Sequence, residues 1–259
     1  MYTAQIAQLK QDFNDVYDAG YQKGIDEGGD TTEAYNQGFA DGKQAEYDRF
    51  WDVFQGEGHR TDCRYMFSGV GWNSDNLKPK YKTIPTNANG MFKYCCRSGA
   101  SSNNYIDFEL IKDKFDFSNA NDLKDTFQAA SIKNLYVDTK SATTLHNTFN
   151  CNDGGGLPNI TLKTYEYTKF ATTFDYGNTT TVTFTDDSVI AENGLYLARQ
   201  IGMTHDQLKS VIDALSTTTT GLSVTLSLTA VNNAFVGGKD GTEWQTLIAT
   251  KPNWDIAYA

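Results

Sequence analysis

Three segments of the chain share a Leu/Phe-x-x-Thr-Phe core: Leu123 to Phe127, Leu145 to Phe149, and Phe170 to Phe174. Each is followed by a short alternating apolar stretch, Leu135 and Val137, Ile160 and Leu162, Val182 and Phe184. The lag from the motif phenylalanine to the first apolar residue is 8, 11 and 8 positions, and the motifs are spaced by 22 and then 25. The same three extra positions enter both counts, as a local insertion at Asp153-Gly154-Gly155-Gly156 requires. A period of about 20 to 29 residues with one strand per unit predicts a chain that winds in stacked turns, each covering the open core of the last.

Degenerate earlier units are expected at Tyr65-Met66-Phe67 and Gly90-Met91-Phe92, leading to strands near Tyr81 to Ile84 and Tyr105 to Phe108. The regular pattern lapses between Gly99 and Ala120. Further on, Thr204-His205-Asp206-Gln207 has the spacing of a capping box and predicts a helix through Leu208, Val211, Ile212 and Leu215. A last strand is predicted over Leu222 to Leu228, with residues 230–259 closing the open end of the stack.

Residues 1–55 read differently. Ile6, Leu9, Phe13, Val16, Tyr17, Tyr21 and Ile25 fall at three- and four-residue steps, one amphipathic helical face. After Gly28-Gly29, Asp30-Thr31-Thr32-Glu33 is spaced as a second helix start, running on through Trp51 and Phe54. The two helices echo each other at an offset of 18 residues, Tyr17 to Gly24 against Tyr35 to Gly42. Glycine inside a helix costs about 1 kcal/mol relative to alanine, so Gly20, Gly24, Gly38 and Gly42 need a compensating reason. Close packing against Tyr17, Tyr21, Tyr35 and Phe39 supplies one, either within an intrachain hairpin or in assembly with another copy or another protein. The domain division expected is 1–55 as an attachment segment, 56–186 as the repeats and 187–259 as their cap.

Composition narrows the function. A formal charge of −10 without a basic cluster argues against nucleic acid as a partner. The first ten residues lack the apolar run of a secretion signal, and no window approaches a membrane span, so membrane insertion is not expected. Cysteines at 63, 95, 96 and 151 are too few and irregular for a disulfide framework and read as buried thiols. His59, Cys63, Cys95 and Cys96 could supply four soft zinc ligands, but adjacent cysteines face one tetrahedral ion poorly, and no metal or other cofactor is expected. The three histidines are scattered, and no nucleophile elbow, phosphate loop or His-Glu-x-x-His is present, so the chain reads as no enzyme. Asp107, Glu109, Asp113 and Asp116 are the only tempting carboxylates for sugar hydrolysis, and solvated charge is the plainer reading. Asp186-Asp187 reads as a turn and helix start rather than a calcium site.

If Leu135, Ile160, Val182 and Val224 point inward, strand alternation turns Tyr136, Thr161, Thr183 and Thr225 outward in register. A flanking column then holds Asp138, Lys163, Thr185 and Ser227. Such a hydroxyl-rich ladder fits a glycan or a protein edge, and is also what any solvated sheet face looks like.

Ala142 to Phe149, the segment Leu208 to Ser216 and the run Leu226 to Phe235 resemble BspA-like leucine-rich repeats, most of all those encoded by tailed bacteriophages of gut bacteria. There such repeats follow a Tyr/Gly-rich helical segment with aromatic motifs like Glu46-Tyr47-Asp48-Arg49-Phe50-Trp51. The fold expected is α+β: an N-terminal helical segment, a short leucine-rich-repeat-like β-solenoid and a C-terminal helix and strand cap. The resemblance implies a virion structural or adhesion protein, attached to other virion proteins or to itself, as a trimer by analogy with fibres and spikes. Its repeats would face a host surface protein or glycan. A bacterial surface adhesin and a polymer-degrading hydrolase are the alternatives.

Overall fold

The computed structural model describes residues 61–69, 77, 79–95, 105–151, 156–170, 172–174 and 180–259, with 40, 42–45, 48 and 52 besides. Two compact units emerge, Met1–Arg60 with Pro79–Lys82, and Thr61–Lys78 with Thr83–Ala259. The boundary expected between residues 186 and 187 falls inside the second unit. In the first, positions 40, 42–45, 48 and 52 are helical. Asp52 there accepts from Lys80 at 2.8 Å and from the Tyr81 hydroxyl, bonds that hold its carboxyl below the usual range. Of the expected assembly residues Gly42 is helical and buried, while Tyr17, Gly20, Tyr21, Gly24, Tyr35, Gly38 and Phe39 lie outside the described residues.

In the second unit the described strands are β1 (Ile106–Asp107), β2 (Ile132–Lys133), β3 (Tyr136–Asp138), β4 (Ile160–Lys163), β5 (Val182–Phe184), β6 (Leu195–Leu197), β7 (Leu222–Leu226) and β8 (Trp254–Tyr258). Helices α1 (His205–Ala214), α2 (Leu228–Ala234) and α3 (Thr242–Ile248) lie in its C-terminal part. All pairings are parallel, in sheets of order β1-β2, β3-β4-β5 and β6-β7-β8.

This corrects the expected fold class. The unit is mixed α/β, with three small parallel sheets and few helices, rather than an α+β chain whose repeats form one β-solenoid. Two local features break the sheet. Asn134 takes a left-handed conformation (φ 56°) and separates β2 from β3. At β5 the backbone N–H of Phe184 donates to the Ser210 hydroxyl of α1 at 3.0 Å, so a helix occupies the place of a next strand. The strand expected over Leu222 to Leu228 is present as β7, two residues shorter, but it is not the last. Ser227 ends β7 by capping α2, and β8 follows beyond α3, paired along the whole of β7.

The motif residues lie in turns outside the strands. Segments around Phe67, Phe92, Phe127 and Phe149 turn tightly and bond residue by residue to the next, as in Phe67 N to Met91 O (2.7 Å), Phe92 N to Thr126 O (2.8 Å), Phe127 N to Thr148 O (3.0 Å) and Phe149 N to Thr173 O (3.1 Å). Their phenylalanines stack in one buried column with Phe174, at centroid distances of 4.8, 5.6, 5.8 and 5.4 Å. The motif threonine is buried because its hydroxyl ties one turn to the turn before it. Thr148 Oγ1 donates to Leu123 O at 2.9 Å and Thr173 Oγ1 to Leu145 O at 2.8 Å, while Thr126 Oγ1 lies 2.9 Å from Ala88 O. Two residues before each phenylalanine the backbone is left-handed, at Tyr65, Gly90, Asp125, Asn147 and Thr172. The lapse between 99 and 120 contains β1, two single-turn 3-10 segments and Phe108, Phe115 and Phe117, whose rings pack around the column.

The C-terminal part is joined by polar contacts at helix ends. The predicted capping box is present, Thr204 Oγ1 accepting from the N–H of Gln207 and the Gln207 side chain accepting from Thr204. At the other end of α1 the buried Lys251 ammonium donates to Asp213 O at 2.9 Å and to Leu215 O, where cations favour a helix terminus. Trp244, fully buried, donates to the Tyr258 hydroxyl at 2.7 Å and packs on Phe235.

Candidate recognition face

Strand alternation carries the inward set into the core: Leu135, Val137, Ile160, Leu162 and Val182 are fully buried and Phe184 nearly so. The register that follows pairs Tyr136 with Thr161 and Thr161 with Thr183, so these three form one outward row across β3, β4 and β5. Asp138 pairs with Lys163 in the flanking row, with Thr185 just beyond the end of β5. Thr225 does not join them. It lies on β7 opposite Tyr196, in the separate sheet β6-β7-β8, whose first strand β6 precedes α1 in the chain and was not foreseen.

The flanking row is an internally bonded network. Lys163 pairs with Asp187, whose carboxyl also accepts from Thr185 Oγ1 at 2.7 Å; the two bonds hold that carboxyl below the usual range. Asp186-Asp187 is therefore a turn beside a lysine, with no helix following it. Tyr165 reaches Asp138 through its hydroxyl at 3.2 Å and stacks on Tyr167 at 5.7 Å. Lys163 lies 5.8 Å from the centre of the Tyr165 ring.

Beside Tyr136 the surface opens into a depression of about 520 Å³ lined by Glu109, Asn134, Tyr136, Asn159 and Thr161. Tyr136 is 48% exposed. Partial burial, then the Asp138 charge, push its hydroxyl above the ordinary value, so it stays protonated at neutral pH. Asn134 and Asn159 are both left-handed (φ 56° and 61°), a conformation asparagine adopts more readily than most residues. Neither was singled out from the sequence, although each stands immediately before an inward strand residue, 25 positions apart.

Three carboxylates of the 107–116 segment, Asp107, Glu109 and Asp116, have structural partners. Burial pushes the Asp107 carboxyl up, but bonds from Asn134 (2.9 Å), Lys133 (3.2 Å) and the Glu109 N–H (3.2 Å) outweigh it and hold the group below its ordinary value. A general acid for sugar hydrolysis needs the opposite shift. Glu109 pairs with Lys112, and Asp116 caps the backbone of Ser118. Cys63, Cys95 and Cys151 are buried, and burial drives the Cys151 thiol up to about 12. His59 and Cys96 lie outside the described residues, among which no group of three or more His, Cys, Asp or Glu could hold a metal ion. No described helix is long and apolar enough to cross a membrane.

Comparison with known protein families, with curated proteins and with solved structures finds no match.

Proposed function

We propose that the chain is a non-enzymatic recognition protein of a phage virion, held on the particle through its N-terminal segment and presenting the β3-β4-β5 face to a molecule of the host surface. One observation carries the reading: Tyr136, Thr161 and Thr183 form a solvent-facing row on strands whose opposite side is fully packed, and the exposed Tyr167 stacks on Tyr165, which bonds Asp138 of the flanking row. A rigid scaffold with aromatic and hydroxyl groups on one face suits binding, because little side-chain freedom is lost on contact. The nearby carboxylates are engaged in ion pairs and caps instead of facing one another across a cleft. The virion setting rests on the likeness in sequence to phage-encoded repeat proteins. Partners in this reading are other virion proteins or further copies of the chain on one side, and a host protein or glycan on the other.

The test is competition. Purified full-length chain, added to host cells before the phage that encodes it, should slow adsorption, and the chain should be found by mass spectrometry in purified particles. A Tyr136→Ala, Tyr167→Ala chain should compete at least about tenfold less well. Absence from particles would remove the virion assignment, and equal competition by the double variant would remove the face.

A further inference from the structure

We infer that the depression beside Tyr136 is a binding site for an uncharged oligosaccharide, with the Tyr136 ring as its stacking platform and the Asn134 and Asn159 amides as its hydrogen-bonding edge. The inference rests on the recognition reading above and names the ligand class of that face.

Orientation of the amides is set by the protein. Ionised Asp107 only accepts, so the Asn134 NH2 must point at it, at 2.9 Å, and the Asn134 carbonyl turns the other way. That carbonyl accepts from the Asn159 NH2 at 3.4 Å, which in turn directs the Asn159 carbonyl away from Asn134. The Asn159 backbone N–H is held by Thr181 Oγ1 at 2.9 Å. Asn159 Oδ1 is left as an acceptor with no protein partner among the described residues, on the wall of the depression. Thr161 adds a hydroxyl and Tyr136 a protonated one, so the lining offers donors and acceptors around an aromatic ring. A pyranose has the complementary surface, vicinal hydroxyls at its edge and a patch of C–H groups on its face.

Charge decides between ligand classes. Asp107 is matched by Lys133 and Glu109 by Lys112, so the two carboxylates next to the depression carry no excess charge that would select a cation. An anion would find no cationic residue in the lining and would approach a chain of net charge −10. A neutral polyol meets neither obstacle. The volume, about 520 Å³, is within the range of small-ligand sites, roughly 300 to 1,000 Å³.

The experiment is calorimetric titration of the full chain with maltotetraose, cellotetraose and chitotetraose, and with sialyllactose and tetralysine as charged probes. At least one neutral tetrasaccharide should bind, and both charged probes should bind at least about tenfold more weakly. Tyr136→Ala should weaken binding about tenfold, Asn159→Ala about fivefold, and Tyr136→Phe no more than about twofold, since the ring remains. Val236→Ala, at an exposed position away from the site, should leave binding unchanged, and the urea midpoints of all variants confirm folding. Preference for tetralysine would overturn the inference in favour of a cationic peptide partner. Retention of saccharide binding by Tyr136→Ala would also overturn it. If no saccharide binds while the chain still adheres to host cells stripped of glycans, the inference falls and the recognition reading survives. If it adheres to no cell, both fall.

Discussion

Replacing Phe149 by alanine tests the packing argument most directly. Its ring is fully buried between Phe127 at 5.8 Å and Phe174 at 5.4 Å, both nearly parallel to it. Loss of a buried phenylalanine costs about 3 to 5 kcal/mol, and each stacked neighbour accounts for about 0.5 to 1.5 kcal/mol of that. With a urea m-value of about 2 to 3 kcal/mol/M, the midpoint should fall by roughly 1 to 2 M. A double-mutant cycle separates column stacking from mere burial. Phe149→Ala combined with Phe174→Ala should show a coupling of about 0.5 kcal/mol or more. Combined with Phe67→Ala, three places along the column, the losses should add within about 0.5 kcal/mol. A neutral Phe149→Ala would refute the burial, and additivity at both pairs would refute the stacked column as an energetic unit.

Thr148→Val keeps the shape but removes the hydroxyl that bonds Leu123 O, and should destabilise by about 1 to 2 kcal/mol in the same urea assay. Gly194→Ala should cost more than Gly90→Ala. At Gly194 (φ 99°) the new Cβ would lie 2.7 Å from the Phe170 backbone carbonyl oxygen, whereas at Gly90 it meets the exposed Tyr65 ring, which can swing aside. Lys251→Met leaves Asp213 O and Leu215 O without their buried donor and should cost about 1 to 3 kcal/mol, read as a lowered thermal midpoint. The His205 ring lies between Asp206 at 3.0 Å and Glu243 at 2.8 Å, which raise its pKa above 6.5. The folded protein therefore holds this proton more tightly than the unfolded chain. The gain is complete below the unfolded value near 6.5 and is lost as pH rises through the folded value. Because all three groups are partly or largely exposed, it amounts to less than about 1 kcal/mol, and His205→Gln should abolish that pH-dependent part of the urea midpoint.

The sequence alone determined what repeats locally. Motif spacing and strand alternation identified Leu135, Ile160 and Val182 as inward residues and Tyr136, Thr161 and Thr183 as one outward row, because side-chain direction along a strand follows from position by a period of two. The capping box at Thr204 was equally legible, since a cap is a contact between residues three apart. Tertiary structure decided where repetition stops. Nothing local to Thr225 says that α1 sits beside β5 and that a new sheet begins at β6; that depends on Ser210 meeting Phe184 across 26 positions. The same holds for the depression. Asn134 and Asn159 acquire a role only when parallel pairing brings them side by side and Asp107, reached through β1, orients both amides. Such contacts join residues more than twenty positions apart, and the pairing that creates them is set by packing of the whole unit rather than by any segment's own preference.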